Sequence, residues 1–258
     1  GAEHAHNPRR QSGVVAMEAC GGAHHWARKL RAMGLDARLI AGHFVGPYRM
    51  QGKSGKNDAN DAEAICEAMG RPHMCFVAVK TVEQQDIQAV HRIRAGLIEQ
   101  LIAKANQIRG LASEYGLVAP KELLHLRRAI PHWLEDADNG LSARFRRLLH
   151  GLRHDMALLD ERVSELDHEI ALIARADPVA RRLQQLRGVG PMIATALAAT
   201  VGDVKQFANG RQMAASLQSN QSALFVPREI IASANQRVQG AGSDSRWWSR
   251  YGIALGAV

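Results

Sequence analysis

The sequence predicts an α/β layer followed by a long α-helical region, with a helical hairpin and weakly patterned chain after it. Three observations carry this. Short apolar runs bracket a helical pattern near the start. Apolar residues then recur at helical spacing from about Val82, and turn formers replace periodicity beyond about Leu217. The corresponding divisions are 13–80, 81–178 and 179–258.

In the first part, Gly13 to Ala19 (GVVAMEA) reads as a strand with one carboxylate, Glu18, at its far end. Gly21-Gly22 breaks the chain. A helix from about His24 to Met33 follows, with Trp26, Leu30 and Met33 on one face and Gly34 as its C-cap. Asp36 to Ala41 (DARLIA) reads as a second strand, and strand, helix, strand at this spacing implies a right-handed crossover between parallel strands. The stretch GPYRMQGKSGKN reads as a loop, Asp58 to Met69 as a helix and Cys75 to Val79 as a third strand.

The second part is helical. Ile87, Val90, Leu97, Leu101, Ile108 and Leu111 mark one long helix, and Pro120 and Pro131 punctuate the connection after it. In the next helix Phe145, Leu149, Leu152, Met156, Leu159, Val163, Leu166, Ile170 and Ile173 step by four and three, a heptad seam. Two such segments suit an antiparallel coiled-coil arm, pairing with another subunit, or a plain amphipathic bundle. Asp177-Pro178 closes this region.

The apolar share of 46% argues against disorder. A formal charge of +8, from 33 basic against 25 acidic residues, suits a polyanionic partner such as nucleic acid. Cys20, Cys66 and Cys75 have no paired spacing and read as reduced thiols of a cytoplasmic protein. His24 and His25 follow Cys20 but lack a second ligand pair at zinc-finger spacing, so an ordinary helix start accounts for them. The first residues lack the apolar centre of a secretory leader, and no run approaches the ~18 apolar residues that span a bilayer.

Two constellations could carry chemistry. Glu18 lies at a strand's carboxyl end, where open α/β sheets place ligands. Asp58 and Asp61 stand three apart, on one helix face, with Lys53 and Lys56 just before them to meet phosphates. Carboxylates from separate elements suit magnesium, which takes oxygen ligands and can serve phosphoryl transfer. On spacing alone, Asp58 reads equally as an N-cap and Asp61 as a carboxylate favoured by the helix dipole. Glu63 and Glu67 read as solvated charges.

The second constellation is LQQLRGVGPMIATALAATVGD, Leu183 to Asp203. Apolar anchors flank the turn Gly188-Val189-Gly190, the pattern of a helix-hairpin-helix. Its glycines would let main-chain N–H groups approach DNA phosphates without reading sequence, with Arg181, Arg182 and Arg187 adding charge. A simple helical hairpin with a glycine turn is the alternative.

With MEACGGAHHWARKL, GKNDANDAEAICEAM, FVAVKTVEQQ and LRGVGPMIATALAATVGD in view, the chain resembles the DEDD transposases of the insertion-sequence one-ten family, eleven-eleven subgroup, over roughly residues 14 to 217. The resemblance implies a RuvC-like (ribonuclease H fold) domain, partial in this chain, whose acidic residues bind Mg2+ or Mn2+. Glu18 matches the family's glutamate, and Asp58 and Asp61 match its paired aspartates. It also implies a coiled-coil insert for assembly, and a C-terminal transposase domain that carries the hairpin and a serine attacking DNA. A structured guide RNA and a homodimer or tetramer acting on bacterial, nucleoid-associated DNA belong to the same expectation.

The sequence departs from the family at both ends. The family's first aspartate lies on a strand upstream of the glutamate, and no match to it appears here. The nucleophile block survives as an echo in FVPREIIASANQRV, which makes Ser233 the positional candidate. A truncated or frameshifted copy of such a gene would account for both. The functional expectation is therefore metal-dependent phosphodiester cleavage and strand transfer, with a cleavage-dead DNA-binding remnant or a Holliday-junction resolvase-like nuclease as alternatives.

Overall fold

The computed structural model describes residues 13–49 and 57–201. Lys53, Lys56 and Ser233 lie outside the described residues, as does the chain beyond residue 201. The described chain divides into two compact units, one made of the residues up to Gln84 together with Val201 and one running from Gln85 to Thr200.

The first unit begins with β1 (Val14–Glu18), α1 (Ala23–Ala32) and β2 (Asp36–Ile40). β1 and β2 pair in parallel with Glu18 opposite Ile40, as a strand–helix–strand unit requires. α1 ends in a glycine cap: Gly34 has φ +85°, its N–H reaches Arg31 and that of Leu35 reaches Leu30. The packed face of α1 is not the expected one. Ala23 and Ala27 are buried against Ala37 and Leu39, with Leu30 alongside, whereas Trp26 and Met33 are more than half exposed. Small residues let α1 lie close on the sheet, and the large ones are left on the far side.

After β2 the chain forms a short helix, α2 (Gly42–Val45), in a stretch for which the sequence suggests no element, and then a 3-10 turn over Gly46–Tyr48, at the start of the stretch that reads as loop. Val45 is fully buried with Ile40, Ala64 and Ala68, so burial rather than propensity decides this segment. α3 (Asp58–Met69) has the expected bounds. β3 (Phe76–Val77) is shorter than expected and antiparallel to β2, giving the order β1-β2-β3.

α4 (Val82–Ser113) opens with a reciprocal cap. Thr81 Oγ1 accepts from Gln84 N–H at 3.2 Å, and Gln84 Oε1 accepts from Thr81 N–H at 3.0 Å. It continues into the second unit with α5 (Leu123–Glu135), α6 (Ala143–Ala176), α7 (Pro178–Leu183) and α8 (Pro191–Thr200). α4 and α6 run antiparallel within the chain: Arg94 pairs with Asp167 at 2.5 Å and Lys104 with Asp155 at 3.0 Å. The heptad seam faces inward, with Phe145, Leu149, Met156 and Ile170 buried. α5 enters that seam with Leu126 and Ile130, so this end is a three-helix core rather than a two-stranded coil. Pro131 lies inside α5 instead of breaking the chain. It removes one helical N–H bond, and burial of Leu126 and Ile130 offsets the loss. Asp177 caps α7, accepting from Val179 and Ala180 N–H at 2.6 and 3.2 Å.

Candidate active site

Glu18 and Asp61 come from different elements and meet at one cation. The guanidinium of Arg49, just after the 3-10 turn, donates from Nη2 to Glu18 Oε2 at 2.5 Å. Its Nε stands 3.0 Å from Asp61 Oδ1. Glu18 is carried there by the end of β1, and Asp61 by the first turn of α3, which packs against β1. The Glu18 carboxylate lies over Gly42, where an added Cβ would come within 2.5 Å of Oε1. A glycine is therefore needed at that position for the carboxylate to stay where it is.

Asp58 stands exposed at the first position of α3. The N-cap is Asn57 instead, whose Oδ1 accepts from Asn60 N–H at 2.8 Å, so the capping alternative for Asp58 does not apply. Among the described residues no group of three or more His, Cys, Asp or Glu side chains comes together in a form that could hold a metal. Two hard carboxylate oxygens sharing one cation nonetheless fit the donor chemistry of a divalent ion. Cys20, Cys66 and Cys75 are exposed, and none of them forms a disulfide among the described residues. Glu67, read as solvated, pairs with Arg71 one turn on.

The hairpin residues form the short helix α7, a turn and α8. Val189 N–H bonds Leu186 at 3.0 Å, with Gly188 at φ +85° inside that turn. Ala180, Leu183 and Ala194 are buried between the two helices, flanked by Leu186, Val189 and Leu197. Arg187, Gly188 and Gly190 are exposed on the turn. Gly190 accepts the first bond of α8 and Pro191 opens that helix, whose next N–H groups have no partner within it.

A buried polar set missed in the sequence fixes α8 to α4. His91 Nε2 lies 2.9 Å from Thr195 Oγ1, and Gln88 Nε2 donates to Ala199 and Thr200 at 3.3 Å. Thr195 directs its hydroxyl to the Pro191 carbonyl at 2.9 Å, so it accepts from His91. Burial, then the Arg94 charge, push the His91 pKa down to about 4.

A family profile described as "Transposase", of the DEDD type, matches residues 4–116. A second, "Transposase IS116/IS110/IS902 family", matches residues 180–239. The chain belongs to the IS110 family of transposases. It is similar to a probable family 20 transposase of Pseudomonas aeruginosa, 42% identical over 226 residues, which cover 87% of this chain and 64% of that protein. It is equally similar to a transposase for insertion sequence element IS1111A of Coxiella burnetii, at 42% over 226 residues, 88% of this chain and 59% of that one. A transposase for element IS1328 of Yersinia enterocolitica is 34% identical over 229 residues, 88% and 64% of the two chains. The chain thus spans about three fifths of the length of these relatives. No solved structure matches it.

The first IS110 match includes Glu18, Arg49, Asp58 and Asp61, and the second includes the α7–α8 turn. Arg49 and Gly42 carry no motif signal that single-sequence reading could use. Their roles arise only when β1, α2 and α3 come together. Among the described residues, no helix is long and apolar enough to cross a membrane.

Proposed function

We propose that this chain serves DNA transposition of an insertion sequence, as a metal-dependent DEDD transposase acting by phosphodiester cleavage and strand transfer. The observation that carries the reading is the convergence of Glu18 and Asp61 on one cation at the sheet end. Glu18 and Asp61, with Asp58 one helical turn away, would hold Mg2+ or Mn2+. Such an ion, when bound, supplies Lewis-acid polarisation of the phosphodiester. Lys53 and Lys56 would add charge for the phosphates.

The α7–α8 turn supports a backbone contact. Among the described residues, a Cβ on Gly190 would meet no atom within 4 Å, so an incoming phosphate can approach closely there. Arg187, Gly188, Val189 and Gly190 would position DNA without reading its sequence. Ser233 is proposed as the nucleophile, by position in the nucleophile block, and needs activation because a free hydroxyl is weak at neutral pH. A guide RNA and assembly as a dimer or tetramer complete the proposal, on the family resemblance.

The test is incubation with end-labelled transposon-junction DNA, cognate RNA and Mg2+, followed by detection of a covalent protein–DNA adduct. An adduct lost in Ser233→Ala and in Asp61→Asn supports the reading. Binding without cleavage points to a DNA-binding remnant, and serine-independent cutting of a four-way junction to a resolvase-like nuclease.

A further inference from the structure

Carboxylates that will share a divalent cation repel one another in its absence, and the first unit contains a specific remedy. Arg49 reaches Glu18 and Asp61 with two different nitrogens of one planar group, Nη2 at 2.5 Å and Nε at 3.0 Å. A guanidinium suits this because its donors are fixed in a fork, whereas a lysine offers a single point charge. The arginine is also anchored from behind, since its own N–H bonds the Gly46 carbonyl at 3.2 Å and ends the 3-10 turn. The Glu18 carboxylate also lies close against Gly42. These contacts keep the two acids facing a common point.

We propose that Arg49 is a resident counter-cation, which binds Glu18 and Asp61 to one guanidinium and must be displaced when a divalent ion enters. The inference rests on the proposed metal role of these carboxylates. Arg49 and the ion compete for the same oxygens, so the arginine lowers affinity for the metal while stabilising the metal-free unit. Once displaced, the guanidinium stays tethered at the site edge by the backbone of residue 49. There it can meet a phosphate, for which its fork is equally suited.

The experiment measures Mn2+ binding to the full chain, by the electron paramagnetic resonance signal of free Mn2+, together with thermal unfolding at zero and saturating Mn2+. Four proteins are compared: the unaltered chain, Arg49→Gln, Arg49→Lys, and the double variant Glu18→Gln with Asp61→Asn. Arg49→Gln should bind Mn2+ about two- to fivefold more tightly, the range expected for loss of a competing exposed ion pair. Its metal-free Tm should fall, and the deficit should shrink when Mn2+ saturates. Arg49→Lys, which keeps the charge but loses the fork, should fall between. Unchanged or weaker binding in Arg49→Gln, with normal binding by the unaltered chain and loss in the double variant, overturns the counter-cation role while the metal reading stands. Equal binding by the double variant and the unaltered chain overturns the metal reading, and the Arg49 role with it. If Arg49→Gln does not fold, affinity in Arg49→Lys no tighter than in the unaltered chain overturns the proposal.

Discussion

The carboxylate of Glu18 rests on Gly42, so closely that a single added methyl would come within 2.5 Å of Oε1. The clash is with the far end of a flexible side chain, which can swing away without disturbing the sheet. Gly42→Ala is therefore expected to keep stability within about 1 kcal/mol, since alanine is also the better residue in α2. Moving a metal-holding carboxylate by about 1 Å to clear that methyl should reduce adduct formation on transposon-junction DNA by about a hundredfold. Gly46→Ala is the control, because a Cβ there meets no atom of the described residues within 4 Å. Equal activity in the two variants would show that the Glu18 position is not constrained by Gly42.

Arg146 fastens the α5–α6 connection. It donates to the carbonyls of Trp133 and Leu134 at 3.1 and 3.0 Å, to that of Asp136 at 2.6 Å and to Asn139 Oδ1 at 2.7 Å. These are the orphan acceptors at the end of α5 and in the loop after it. Arg146→Ala should lower stability by about 2 kcal/mol, the range for bonds to a charged donor, and Arg146→Lys should recover only part of it. Urea unfolding followed by circular dichroism checks both.

His91 makes the stability of the second unit depend on pH. Its folded pKa is pushed down to about 4 by burial and by Arg94, against an ordinary value near 6.5. Between those values the unfolded chain takes up a proton that the folded chain refuses. Stability therefore falls as pH drops from about 6.5 to about 4 and levels off below, by roughly 3 kcal/mol from this group. Thermal unfolding across that range should show the fall, and His91→Leu should flatten it. The same variant should be less stable at pH 7, because Thr195 loses the donor it accepts from at 2.9 Å. A slope that persists undiminished in His91→Leu would assign it to other groups.

Local signals were readable wherever a residue acts on its own neighbours in the chain. α3 could be bounded from its pattern, and Gly34 and Asp177 cap where their chemistry suggests. Errors arose where tertiary packing decides. Trp26 looks like a core anchor, but alanines fit closer to the sheet, and Pro131 looks like a break, but Leu126 and Ile130 hold the helix together. The candidate site shows the same division. Glu18 and Asp61 are visible as carboxylates on a strand end and a helix start. Their meeting at Arg49 joins residues 18, 49 and 61 through three separate elements, and no periodicity or spacing encodes that. Gln88, His91 and Thr195 were missed for this reason too, since each looks ordinary in its own helix.

The turn between α7 and α8 separates a folding requirement from a binding one. Gly188 has φ +85°, which the chain itself demands, so any side chain there strains the turn. Gly190 has an ordinary φ and open space around it, so Gly190→Ala should change stability by no more than about 1 kcal/mol, mostly through the start of α8. If phosphate approaches this turn, the added methyl stands in its way, and affinity for double-stranded DNA should drop several-fold on all sequences alike. Arg187→Ala should also weaken binding uniformly and reduce the slope of log affinity against log salt by about one. Fluorescence anisotropy over a salt series measures both effects. DNA binding by Gly190→Ala with unchanged affinity and unchanged salt slope would move the backbone contact away from this turn, since no contact among the described residues requires a glycine at that position.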